Sequence, residues 1–232
     1  MAIKGIIFDF NGTLFFDSPL HILAVQKCFR TRGLTVPSAE EIVNKMFGMQ
    51  NKYIYKTFLN PDGSDEDVEA FITEKEEAYM DMFLEDTHYR SLCDGAEQML
   101  DYLKENNIPF GIATGSEYQT VLFYVEHLGI DKWFPMDKIV YTDGTFKGKP
   151  EPDIYRIAAS RLGLAPEECA VFEDGRAGLI SAQAAGIGKR IAIYEKGMCD
   201  PLADGIVVEQ VCHDLTDWKN ILDRLGLLKK DL

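Results

Sequence analysis

No stretch of this 232-residue chain approaches the ~20 apolar residues that a membrane-crossing helix needs, so no membrane partner is expected. Positive charge is scarce. There are 24 Lys and Arg against 38 Asp and Glu, a formal net charge of −14. No Lys/Arg-rich patch stands out, which argues against a nucleic-acid partner. The five cysteines (Cys28, Cys93, Cys169, Cys199, Cys212) are odd in number and contain no C-x-x-C pair. No signal peptide precedes Ile3. Free thiols in a reducing cytoplasm are therefore the expectation. Internal repeats and low-complexity tracts are also missing.

What is present is a series of short apolar runs. Residues 3–8, 108–114, 169–172 and 189–193 read as buried parallel strands, 139–142 as a shorter fifth and 205–208 as a candidate sixth. Helical patterns separate them. This alternation predicts an α/β fold with a doubly wound, mostly parallel, Rossmann-like sheet. Ser116 and Gln119 have capping-box spacing ahead of Val121, Leu122, Val125 and Leu128, with Gly129 as the stop. Pro150 and Pro152 open a helix bearing Ile154, Ile157, Ala158 and Leu162, which Gly163 ends; Asp153 is expected to cap it.

Residues 18–90 carry helical periodicity and no strand signal. Ser38 and Glu41 form a capping box, Pro61-Asp62-Gly63 a turn, and a long acidic amphipathic pattern runs through Val68, Phe71, Ile72, Tyr79, Met82 and Phe83. The expected organisation is a core of residues 1–17 and 91–232 with a helical cap, residues 18–90, inserted after the first strand. The alternative is one continuous α/β domain with long helices.

Four short motifs carry chemistry. Asp9-Phe10-Asn11-Gly12-Thr13-Leu14 follows the first strand and holds a carboxylate at the sheet rim, where open parallel sheets place their sites. Such a carboxylate can attack phosphorus; taken alone, it is also an ordinary turn residue. Thr114-Gly115 closes the second strand ahead of a helix, where a hydroxyl and N–H groups suit a phosphate oxygen. Lys149-Pro150-Glu151-Pro152-Asp153-Ile154-Tyr155 offers an ammonium to neutralise phosphoryl charge, with Lys147 as its solvated neighbour. Glu173-Asp174-Gly175 ends an apolar strand. Two adjacent carboxylates there, near Asp9, call for a hard cation such as Mg²⁺.

These motifs, in this order, resemble those of the haloacid dehalogenase-like hydrolases. The nearest branch is that of beta-phosphoglucomutase, phosphoglycolate phosphatase and phosphonoacetaldehyde hydrolase, with a helical cap after the first motif. The resemblance implies an Mg²⁺-dependent phosphatase acting on a small phosphorylated metabolite through an aspartyl-phosphate at Asp9. It implies Thr114 and Lys149 as further catalytic residues, Gly115 at the phosphate, and Asp9, Asp174, Glu173 and the Asn11 carbonyl around the metal. A monomer or weak dimer is expected.

Asn11 departs from the pattern, which has a second Asp there. An amide carries no titrating proton, so it can neither protonate a leaving group nor activate water. Three origins stay open: an engineered change, a native variant with another proton carrier, or a phosphate-binding protein without turnover. His21 is the candidate replacement carrier. Around Met46–Met49, members of the branch carry an Arg for a second phosphate or a Schiff-base Lys. By spacing the equivalent residue is Asn51, with Lys52 one position late; both are candidate substrate contacts. A beta-phosphoglucomutase-like isomerase and a carbon–phosphorus hydrolase remain the alternative activities.

Overall fold

The computed structural model describes residues 1–198, 202 and 205–229. Six parallel strands make one sheet: β1 (Gly5–Phe8), β2 (Phe110–Glu117), β3 (Ile139–Thr142), β4 (Cys169–Glu173), β5 (Lys189–Ile193) and β6 (Gln210–Cys212). Their order is β3-β2-β1-β4-β5-β6, so β1 and β4 are central neighbours. Successive strand residues face opposite sides. Ile6 and Phe8 accordingly enter one core cluster and Ile7 the other. Helices α5 (Ala96–Glu105), α6 (Tyr118–Leu128) and α9 (Trp218–Leu225) supply the first cluster, and α7 (Asp153–Leu162) and α8 (Arg176–Ala185) the second. Both faces are covered, which is why the strands read as unbroken apolar runs rather than alternating ones.

Between β1 and α5 lie α1 (Ser18–Thr31), α2 (Ala39–Lys45), α3 (Asn51–Ile54) with a π-helical turn over Tyr55–Leu59, and α4 (Asp65–Glu85). Ser38 with Glu41, and Ser64 with Asp67, close complete capping boxes on α2 and α4. These helices bury a cluster of their own, including Val25, Ile42, Ile54, Val68 and Phe71. Tyr79 and Phe83 of α4 join the core beside the sheet instead.

Three local expectations are corrected. The sixth strand is Gln210–Cys212, not residues 205–208. The Val207 carbonyl accepts from Arg190 Nε and its N–H donates to Gln183 Oε1, so side chains take the groups a ladder would use. Ser116 does not cap α6: β2 runs on to Glu117, and the Ser116 hydroxyl is committed elsewhere. Asp153 is the first residue of α7 rather than its cap, and its carboxylate accepts from the Lys147 N–H. The thiols of Cys28, Cys93, Cys169 and Cys212 are free and buried; Cys199 lies outside the described residues. Among the described residues, no helix is long and apolar enough to cross a membrane.

Candidate active site

The parallel ladder sets the first two site residues side by side. Phe8 pairs with Phe172, and the Asp9 N–H donates to the Phe172 carbonyl at 2.9 Å. Asp9 and Glu173 therefore leave neighbouring strands at one level. Lys149, almost wholly buried, donates to Asp9 Oδ1 at 2.6 Å and also to Glu173 Oε1. Glu173 further accepts from the Tyr155 hydroxyl at 2.8 Å and the Gly175 N–H at 2.8 Å. Its carboxylate is thus occupied in holding the lysine. Gly178 lets α8 approach: a Cβ there would overlap the Glu173 carboxylate.

One carboxylate oxygen each from Asp9, Glu173 and Asp174 lies within 4.8 Å of the others. Burial pushes the Asp9 carboxyl up; Lys149 opposes this, Glu173 adds to it, and the result is about 7. Asp174 is raised well above the usual carboxylate range by burial, then by the charges of Glu173 and Asp9. Lys149 stays charged despite burial, because Asp9 and Glu173 flank it. One ammonium faces three carboxylates. That imbalance fits a hard divalent cation with oxygen ligands. Gly12, at φ +75°, keeps the space open, since a Cβ there would meet Asp174.

Position 11 sits in a closed polar network. Asn11 Nδ2 donates to Asp17 Oδ2 at 2.6 Å and to the Tyr124 hydroxyl at 2.6 Å. Its Oδ1 accepts from the Ser116 hydroxyl at 2.9 Å, with Thr114 Oγ1 at 3.5 Å. Asp17, fully buried, accepts also from the Tyr79 hydroxyl and the Gly12 N–H. His21 Nε2 lies 3.1 Å from Asp17 Oδ2, off the line of a hydrogen bond, and its ring stacks on Tyr79 at 4.2 Å.

A cavity of about 690 Å³, part of it open to solvent, brings these residues together. Asp9, Asn11, Thr114, Gly115 and Asp174 line it from the sheet, and His21, Asn51, Lys75 and Glu76 from the helices between β1 and α5. Lys52 is a correction. It does not line the cavity; its side chain is 62% exposed and pairs with Asp65 at 3.0 Å. One helical position past Asn51 turns a side chain by about 100°, which takes Lys52 out to solvent. Lys147 is likewise exposed. Sequence reasoning missed Asp17, Ser116, Tyr124, Lys75 and Glu76. Asp17, polar after two phenylalanines, carried a usable signal; Lys75 and Glu76, inside the charged run Glu74-Lys75-Glu76-Glu77, carried none.

The chain resembles known proteins over most of its length. The family described as haloacid dehalogenase-like hydrolase matches residues 3–186. Hexitol phosphatase A of Escherichia coli is 32% identical over 187 residues, covering 80% of this chain and 81% of that protein. A phosphorylated carbohydrates phosphatase of Thermotoga maritima is 27% identical, covering 87% and 88%. The crystal structure of a haloacid dehalogenase-type hydrolase of family IA, variant 3, from Entamoeba histolytica superposes with a TM-score of 0.82 at 35% identity, covering 97% and 100%. The chain belongs to the haloacid dehalogenase-like hydrolases, and it is an enzyme of the phosphatase kind.

Proposed function

We propose that the chain is a magnesium-dependent hydrolase of small phosphomonoesters. The observation that carries this is the buried Lys149 ammonium, set between Asp9 and Glu173 with Asp174 at hand. Asp9 attacks phosphorus. An Oδ–P bond forms as the ester P–O bond breaks, and the electron pair leaves with the ester oxygen. Water then attacks the same phosphorus, releasing inorganic phosphate and restoring the carboxylate. Lys149 stabilises charge on the phosphoryl oxygens, and the Thr114 hydroxyl and Gly115 N–H hold them. Asp9, Asp174 and the Asn11 carbonyl would hold Mg²⁺, with Glu173 behind them; when bound, the ion neutralises phosphoryl charge.

Asn11 cannot move a proton, so the departing oxygen takes one from His21, which lines the cavity beside Asp17. Helices α1–α4 act as the cap that limits bulk water over Asp9. Magnesium-dependent phosphate release from sugar phosphates, abolished by Asp9→Ala, tests the reading; no release from any ester would overturn it. His21→Gln should lower turnover by about 10²-fold. Unchanged turnover removes His21 from the mechanism. The carbon–phosphorus alternative gains nothing from Lys52, which faces solvent.

A further inference from the structure

Lys75 is the one lysine or arginine among the described residues that line the cavity. Lys75 and Glu76 have side chains only 8% and 13% exposed, and Lys75 Nζ donates to Glu76 Oε1 at 2.7 Å. Glu76 is held there. Asn51 Nδ2 donates to Oε1 at 3.0 Å and the Thr120 hydroxyl to Oε2 at 3.0 Å. Lys149, the other buried ammonium of the site, is spent on Asp9 and Glu173.

A second phosphate on the substrate needs uncompensated positive charge, best supplied by a guanidinium or free ammonium. This cavity has none: the Lys75 ammonium faces Glu76, and His21 faces Asp17. Near Asn51 its polar capacity includes two unspent N–H donors on Lys75 and the Asn51 carbonyl oxygen, beside apolar Val25, Ile42, Met46 and Ile54. Hydroxyl groups match such donors and acceptors without bringing charge.

We infer that Glu76 confines the enzyme to monophosphates whose other end is uncharged and hydroxylated, by cancelling the Lys75 charge that would otherwise draw in a second phosphate. This rests on the phosphomonoesterase reading above. Glu76 is a specificity residue: it acts through Lys75 on what the cavity admits, not on the bond that breaks. Glu117, a hydrogen-bond partner of Asn51, stands beside the same pair, its carboxyl raised by burial and by Glu76.

Isothermal titration with fructose 1-phosphate and fructose 1,6-bisphosphate in Mg²⁺, with phosphate release assayed on the same samples, tests it. The unmodified chain should bind the monophosphate at least about tenfold more tightly. Glu76→Gln, which frees Lys75, should cut that preference about tenfold or more. Lys75→Met, which uncovers the Glu76 carboxylate, should weaken the bisphosphate further. Equal or tighter bisphosphate binding by the unmodified chain would overturn the inference, whether or not either variant folds. So would an unmoved ratio in a folded Glu76→Gln protein. In both cases phosphate release leaves the phosphatase reading standing. Neither binding nor release of either ester would take both down.

Discussion

The amide of Asn11 is a hydrogen-bond donor to the buried carboxylate of Asp17, Nδ2 to Oδ2 at 2.6 Å. The same nitrogen donates to the Tyr124 hydroxyl. A carboxylate at position 11 has no proton to give at neutral pH. The surroundings are therefore matched to the amide, whatever its origin, and Asp17 depends on it for one of its partners.

Replacing Asn11 by Asp brings a half-buried carboxyl into contact with the buried one of Asp17, so one must keep a proton. A carboxyl whose folded-state pKa is raised contributes less stability as the pH climbs past its unfolded value. Asn11→Asp should cost about 2 kcal/mol at pH 8 and regain most of it only by about pH 4, measured by urea unfolding at both pH values. The retained proton also supplies the missing acid. Phosphate release should rise by about 10²-fold over the unmodified chain.

Mg²⁺ should stabilise the folded chain, because its ligands come together only on folding. At a hundredfold excess over its dissociation constant the gain is about 2.7 kcal/mol, seen as a higher thermal midpoint. Asp174→Asn should lose most of that gain. Equal shifts in both proteins would remove Asp174 from the metal site.

Gly178→Ala sets a methyl group against the Glu173 carboxylate, which is tied to Lys149, Tyr155 and Gly175. Overpacking of this kind costs about 1–3 kcal/mol. The expected result is a lower thermal midpoint together with reduced turnover, because Lys149 loses its anchor. Gly186→Ala is the control: no atom lies within 4 Å of a Cβ there, so only its positive φ is strained.

Glu76 titrates near 2 rather than its ordinary 4.5. Burial alone would raise it; the Lys75 charge, His21 and the hydrogen bonds from Lys75 and Asn51 outweigh burial. A lowered carboxyl contributes stability that is present above the unfolded value and lost as pH falls through the folded one. Between pH 4.5 and about 2 the chain should lose about 3 kcal/mol from this group. Glu76→Gln should lack that portion of the acid slope in unfolding measurements.

The strands were legible because burial on both faces writes them as apolar runs, and residues 139–142 and 189–193 match β3 and β5 residue for residue. Asp9, Lys149 and Asp174 were legible because each sits at the end of a strand or in a distinctive local motif. The polar network was not. Asn11, Asp17, Ser116 and Tyr124 meet only after β1, β2 and α6 pack, and no local spacing encodes that meeting. Ser116 shows the conflict directly: its spacing from Gln119 suits a helix cap, yet tertiary contact keeps β2 extended through it. Lys75 and Glu76 look like any solvated helical pair until the fold turns them inward.

The Phe8–Phe172 register and the Asp9 N–H bond to Phe172 are main-chain contacts, indifferent to side-chain identity elsewhere. The sheet consequently holds the acidic trio, while Asp17 and His21, at the start of the segment that follows Phe16, reach the same site. A foreign helical insert that keeps Asp17 and His21 should redirect substrate choice while the acidic trio keeps its spacing, which makes this scaffold a ready host for transplanted selectivity.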